Sequence, residues 1–224
     1  KLAGMGQLSA GIAHELNNPL GVITMYSNII REELPADSPV VQDINLIVEQ
    51  ADRCRKIVGG LLNFARKNQV NLTESDVVKL ARHSIGSVII PDSIKLRLNN
   101  KVSDPLVNLD YDQMTQVFAN LLKNAVDAMP GQGEIDFDLV DNHDQLIVSI
   151  TDNGTGIPPE NMDKLFTPFF TTKGPGKGTG LGLPIIYGIV KMHKGDISVK
   201  SNIDPAKGPT GTTFTITIPR NRLV

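Results

Sequence analysis

The residues Val40, Ile44, Ile47, Ala51, Cys54, Val58, Leu61 and Ala65 recur at alternating steps of four and three. A 3.5-residue apolar period marks a helix that lies along another helix. The helical pattern runs over 40–67, a second one precedes it over 2–33, and the turn signals between them lie in Leu34-Pro35-Ala36-Asp37-Ser38-Pro39. The expectation is an antiparallel helical hairpin. Ile57 and Leu62 widen the stripe, and the first helix adds Leu8, Ile12, Leu16, Leu20, Ile23 and Ile30. This is more apolar surface than two helices can cover on each other. Two hairpins paired into a dimeric four-helix bundle would bury it; the alternative is that the hairpin packs on the remainder of its own chain.

The helical period stops in the polar run Arg66-Lys67-Asn68-Gln69-Val70-Asn71, which divides the chain into domains 1–68 and 69–224. In the second, helical patterns at 76–86, 112–129 and 183–194 interleave with alternating runs at 94–98, 135–139, 146–150, 197–199 and 214–218. The strict alternation of Glu134-Ile135-Asp136-Phe137-Asp138-Leu139 and of Thr213-Phe214-Thr215-Ile216-Thr217-Ile218 requires a sheet with one wet face and one covered face. The expected fold class is therefore α+β: a helical hairpin followed by an α/β two-layer sandwich.

Composition narrows the partners. With 40% hydrophobic residues the chain can build a core. Its 22 Lys and Arg against 24 Asp and Glu leave a net charge of −2, no excess with which to hold nucleic acid. The one cysteine, Cys54, allows no intrachain disulfide and suits a reducing compartment. The longest mostly apolar stretch, 181–192, contains Pro184 and is shorter than the roughly 20 residues a membrane span needs, so no membrane contact by residues 1–224 is expected. The opening Lys-Leu-Ala-Gly lacks an initiator Met and a signal-peptide core. The chain reads as a piece of a longer protein, placed in the cytoplasm, with any membrane tether of the remainder left open.

Four segments can carry chemistry. In Gly11-Ile12-Ala13-His14-Glu15-Leu16-Asn17-Asn18-Pro19, His14 sits beside the apolar stripe with small or polar neighbours one turn away. A neutral imidazole is nucleophilic near pH 7, and Glu15 could orient it, though a solvated surface histidine gives the same pattern. Pro19 one turn on predicts a kink. Asn120 and Asn124 share one face of a helix and offer neutral oxygens, which suits Mg²⁺ shared with phosphates as well as plain solvent. Asp152-Asn153-Gly154-Thr155-Gly156 lies just past a strand and is either a tight turn or a carboxylate with close backbone access for an adenine amine. Gly178-Thr179-Gly180-Leu181-Gly182-Leu183 leads into a helix and can present free N–H groups to phosphate, with Lys173 and Lys177 in the same loop. It has neither the Walker nor the dinucleotide spacing.

Jointly and in this order, these segments resemble the catalytic core of the two-component sensor histidine kinases over essentially the whole chain. His14-Glu15-Leu16-Asn17-Asn18-Pro19-Leu20 resembles the H box, Asn120-Leu121-Leu122-Lys123-Asn124-Ala125 the N box, and Asp152-Asn153-Gly154-Thr155-Gly156 the first glycine box. Leu165-Phe166-Thr167-Pro168-Phe169-Phe170-Thr171-Thr172-Lys173 resembles the F box, and Gly178-Thr179-Gly180-Leu181-Gly182-Leu183 the second glycine box. The resemblance implies a homodimerising phosphotransfer hairpin over 1–68 and an ATP-binding domain of the Bergerat (GHKL) type over 69–224. It implies ATP-dependent autophosphorylation of His14, with Glu15 as orienter and general base, then transfer to an Asp of a response-regulator receiver domain. ATP would bind with Mg²⁺, the metal held by Asn124 with Asn120 in support and Lys123 on the same helix. Asp152 would take the adenine amine, with Gly154, Gly156 and Ile157 around it and Thr213 behind it. Phe166, Phe169 and Phe170 would brace a lid over 171–179. Thr172, Lys173, Lys177, Gly178 and Thr179, followed by Gly180, Leu181, Gly182 and Leu183, would line the nucleotide. Asn18 would orient water for hydrolysis of the regulator's phospho-Asp, a phosphatase activity.

Two residues depart from the common pattern: Asp127, where many relatives carry Lys or Arg, and Lys194, where a second glycine is frequent. His83, His143 and His193 are expected to be structural. A clamp-type ATPase is the enzymatic rival, opposed by the H-box hairpin. A nucleotide-binding scaffold is the non-enzymatic rival, opposed by the intact His14, Asn124, Asp152 and Gly180.

Overall fold

The computed structural model describes residues 5–35, 38–66, 70–142, 144–174 and 178–220; in the hairpin it describes the side chains of 16–35, 38–55, 58 and 59. The chain divides into two compact units, one of residues 1–68 with 167–181 and one of residues 69–166 with 182–224.

The first unit contains α1 (Met5–Glu33) and α2 (Val40–Arg66), packed side by side as the expected hairpin. α1 continues as one helix through Pro19, although proline there has no N–H for the carbonyl one turn back. Near the connection, Arg31 Nη1 donates to Asn45 Oδ1 at 3.3 Å. The 3.5-residue seam of α2 is split. Ile44, Ala51 and Val58 are buried, whereas the intervening Val40, Ile47 and Cys54 are exposed. α1 likewise exposes Leu16, Ile23 and Ile30, with Tyr26 beside them. One partner helix covers one edge of such a seam, and the other edge is left open. The side chains of Leu8, Ile12, Ile57, Leu61, Leu62 and Ala65 lie outside the described residues. No helix among the described residues is long and apolar enough to cross a membrane.

The second unit runs β1 (Thr73–Asp76), α3 (Val77–Gly86), β2 (Ile94–Lys101), β3 (Leu106–Leu109), α4 (Tyr111–Asp127), β4 (Gly133–Asp141), β5 (Gln145–Asp152), α5 (Pro159–Met162), α6 (Gly182–Met192), β6 (Asp196–Asn202) and β7 (Gly211–Pro219). Five strands form one sheet in the order β2-β4-β5-β7-β6. β2 and β4 are parallel and the other pairs antiparallel. A parallel pair needs a crossover, and the stretch containing α4 supplies it. β1 and β3 form a separate antiparallel pair, too short and too polar to announce itself as alternation.

Apolar residues cover one sheet face. Ile135, Phe137 and Leu139 of β4, Leu146, Val148 and Ile150 of β5, and Phe214, Ile216 and Ile218 of β7 are buried. Above them α4 buries Met114, Val117, Phe118, Leu121, Leu122 and Ala125, a stripe at helical spacing. Phe118 meets Phe137 edge-on, ring centroids 5.3 Å apart at 87°. α3 and α6 add Leu80, Ala81, Ile186, Ile189 and Val190. Two aspartates start helices: Asp76 accepts from Val78 and Lys79 N–H on α3, and Asp110 accepts from Gln113 N–H on α4. Lys194 takes φ +57°, the left-handed conformation that favours glycine at this position.

Truncating the ring at the centre of this layer tests its weight. Phe137→Ala is expected to lower stability by about 3–5 kcal/mol, read from the shift of the urea unfolding midpoint.

Candidate active site

β5 alternates regularly between core and solvent, and its last core-facing position holds a carboxylate. Asp152 is only 5% exposed, in line with Leu146, Val148 and Ile150. The sequence placed it just past the strand; the structure makes it the final strand residue, paired with Ile135 and Thr212. Its Oδ1 accepts the N–H of Gly154 at 2.9 Å and of Thr212 at 3.3 Å. Both bonds fall on one oxygen, so Oδ2 is the atom that can accept from a ligand. Burial pushes the carboxyl above the usual aspartate range, and the Gly154 and Thr212 N–H groups oppose that shift.

The loop after Asp152 is held against the end of α4. Thr155 N–H donates to the carbonyl of Ala128 at 3.2 Å, and Ala128 N–H donates to that of Asn124 at 3.0 Å. A Cβ on Gly154 would collide with the Ala128 carbonyl, and one on Gly156, at φ +74°, with the Asn202 carbonyl. These glycines therefore allow the loop to dock where the asparagine helix ends. Asn120 and Asn124 are half-buried on the flank of the α4 stripe, and Lys123 is exposed. Ile157 packs against the core and donates its N–H to Ser201 Oγ at 2.7 Å. Asp152, the glycine loop and Asn124 are thus brought together.

Thr213 is not part of that group. Its side chain belongs to the wet face of β7, where its hydroxyl lies 3.0 Å from Thr151 Oγ1; it lines a recess of about 340 Å³ with Arg97, Asp136, Thr151 and Lys200, whose edge Asp152 and Thr212 also reach. Thr212, buried at 4% exposure, stands beside Asp152 instead. The alternation that buries Phe214, Ile216 and Ile218 selects Thr212 for the core face, a signal present in the sequence.

Phe166 packs on the core and on Tyr187 of α6, ring centroids 5.2 Å apart. In the first unit Phe169 leaves its ring exposed and takes φ +68°; its N–H donates to the Gly180 carbonyl at 2.9 Å. A Cβ on Gly180 would strike the Phe169 backbone, so this clasp needs glycine. Phe169 therefore secures the base of the loop through its backbone rather than its ring. Phe170 N–H donates to the Thr167 carbonyl. Thr171 Oγ1 accepts from Lys173 N–H, and Thr179 Oγ1 from Leu181 N–H. Thr172 and Lys173 are exposed, Gly178 is half-buried and Leu181 is buried. α6 begins at Gly182, with Leu183 half-buried against the core. Lys177 and the side chains of His14 and Glu15 lie outside the described residues, and Asn18 is exposed on α1.

No cluster of three or more His, Cys, Asp or Glu among the described residues could hold a metal. A cation here would depend on amide oxygens and on ligand phosphates. The half-buried pair Asn120 and Asn124, one turn apart beside the glycine loop, fits Mg²⁺, which takes few protein ligands and retains waters.

Comparison with known proteins identifies the family. Residues 109–222 match the histidine kinase-, DNA gyrase B-, and HSP90-like ATPase family model, and residues 5–70 match the His kinase A phospho-acceptor domain model. The chain therefore belongs to the histidine kinase-, DNA gyrase B- and HSP90-like ATPase family. With the phospho-acceptor match ahead of it, it is the catalytic core of a two-component histidine kinase. Among curated relatives, sensor histidine kinase ZraS of Escherichia coli (strain K12) is 35% identical over 99% of this chain and 47% of its own length. The chain thus spans about half of that relative. Among solved structures, histidine kinase ThkA in complex with response regulator protein TrrA is 26% identical with a TM-score of 0.66, covering 97% of this chain and 62% of that one. Full-length ShkA in complex with AMPPNP shares the fold at a TM-score of 0.73 and 22% identity, covering 96% and 46%.

The buried carboxylate yields a pH test. Because burial raises the Asp152 pKa, its contribution to stability is fullest at acid pH and is lost as pH rises through that pKa. Asp152→Asn keeps the acceptor oxygen without the charge. Urea unfolding is expected to show it more stable than the parent at neutral pH, with the difference shrinking as the parent's carboxyl becomes protonated.

Proposed function

We propose that this chain is an ATP-dependent protein-histidine kinase in which residues 1–68 dimerise and carry the phosphoacceptor, and residues 69–224 bind ATP. The observation that carries the reading is Asp152: a buried carboxylate, one oxygen tied to two backbone N–H groups, the other free to accept the adenine amine. The AMPPNP bound by ShkA supports ATP as the nucleotide. Thr212, rather than Thr213, stands with Asp152 at the base. Asn124, with Asn120, would hold Mg²⁺, which offsets the charge on the phosphates. Lys123, Lys173 and Lys177 add positive charge, while Thr172, Gly178, Thr179 and the glycine run through Leu183 provide backbone N–H groups.

The chemistry assigned to the hairpin is nucleophilic. The neutral His14 imidazole attacks the γ-phosphorus with one ring nitrogen; an N–P bond forms, the bond to the β,γ-bridging oxygen breaks, and ADP leaves. Glu15 holds the N–H of the other ring nitrogen and accepts its proton as positive charge builds on the ring. The phosphoryl group then passes to an Asp carboxylate of a receiver domain, a step supported by the regulator bound to ThkA. Such a partnership supports a cytoplasmic location for the core. The exposed Leu16, Ile23, Ile30, Val40 and Ile47 support a second copy covering the open edge of the hairpin. Asn18, exposed one turn beyond His14, is assigned the role of orienting water in regulator dephosphorylation.

Incubation with γ-labelled ATP and Mg²⁺ should give acid-labile, alkali-stable label on the parent, none on His14→Gln, and little on Asn124→Ala; equal labelling of the His14 variant would reject the mechanism. Asp152→Asn presents an amide donor to the adenine amine and should weaken ATP binding roughly tenfold to a hundredfold, from a buried mismatch of about 1–3 kcal/mol. Asn18→Ala should autophosphorylate normally yet slow phosphate loss from the regulator, and an unchanged rate of loss would remove that residue from the phosphatase step.

A further inference from the structure

His193, expected from sequence to be structural, is 3% exposed and lies just beyond α6. Its Nδ1 faces the Ile189 carbonyl at 2.8 Å, and its Nε2 accepts the backbone N–H of Asp110 at 3.0 Å. Nε2 must therefore be unprotonated, and Nδ1 carries the proton. Burial lowers the pKa of the ring and so favours this neutral form.

Asp110 joins three segments at once. Its N–H goes to His193, its Oδ1 caps α4 through Gln113 N–H at 3.0 Å, and its Oδ2 accepts Asn71 N–H at 3.1 Å. Asn71 follows the end of α2 by five residues. We propose that His193 and Asp110 form a positioning junction that sets the start of α4 against the helix following the glycine run, and thereby aims Asn120 and Asn124 at the nucleotide. This rests on the assignment of α4 to nucleotide binding made above. At about 1.5 Å per residue the two amides lie about 15 and 21 Å along the axis from Asp110, so a small pivot at the helix start displaces them appreciably. Neither residue touches the nucleotide; both act through α4.

The junction has a defined acid failure. A proton on Nε2 would set a donor against the Asp110 N–H. The charged group facing the ring from the α4 side is the Asp110 carboxylate. On the ring's own segment Lys191 is engaged with Asp196 at 2.5 Å, and Lys194 is exposed.

The test uses the whole chain with Mg²⁺-ATP, measuring Kd from pH 5.5 to 8, autophosphorylation KM and kcat, and amide exchange of α4, with thermal melts to establish folding. His193→Gln supplies a non-titrating acceptor. It should bind ATP within about threefold of the parent at pH 8 and lack the part of the parent's acid weakening due to His193. His193→Ala, measured below its melting temperature, should bind at least tenfold more weakly, raise KM more than it lowers kcat, and lose exchange protection at Met114, whose N–H donates to the Asp110 carbonyl. A folded His193→Ala with parental Kd, or a His193→Gln acid limb superimposed on the parent's, overturns the junction. If the parent itself fails to bind ATP, the nucleotide assignment and the aiming role built on it both fall. Parental protection at Met114 in His193→Ala, by contrast, defeats the junction alone.

Discussion

One carboxylate at the rim of an apolar layer organises the second unit. Asp152 occupies a position that the sheet would give to another Ile or Val, and it is kept there by two backbone donors on a single oxygen. A buried charge without partners costs several kcal/mol, so the glycine loop and the register of β7 against β5 must both be in place before the residue can be accommodated. The same arrangement leaves the second oxygen without a backbone donor.

The sheet end of the second unit carries the carboxylate, and α4 carries half-buried amides on the flank of a stripe whose other residues fill the core. In the other unit, Phe169 N–H bonds the Gly180 carbonyl. Close approach of the backbone, with positive φ at 156 and 180, explains the glycines at 154, 156 and 180 better than flexibility does. The hairpin shows a different incompleteness. Its seam is buried at Ile44, Ala51 and Val58 and open at Val40, Ile47 and Cys54, an arrangement that a single hairpin cannot finish.

Much of this was legible beforehand. The heptad of α2, the alternation of β4 and β7 and the glycine-flanked Asp152 are local patterns, because helix and strand periods act on neighbouring residues. The small sheet of β1 and β3 was not legible, since four-residue strands stabilised by distant pairing carry too few alternations to read. Thr212 and Thr213 differ in strand parity, and alternation with Phe214, Ile216 and Ile218 puts Thr212 on the core face. His193 was expected to be structural, and its tie to Asp110 spans 83 residues, beyond the reach of any local pattern.

The sequence by itself determined which stretches become helix or strand, which faces are apolar, and which residue types are available for phosphoryl chemistry; periodicity and side-chain chemistry are properties of the local chain. Only the tertiary structure decided which of two adjacent threonines faces Asp152, which edge of the hairpin seam stays open, and which histidine holds the start of α4. Those choices depend on strand register and helix contact between residues far apart in sequence, where the energy of pairing is set by what arrives from elsewhere in the chain.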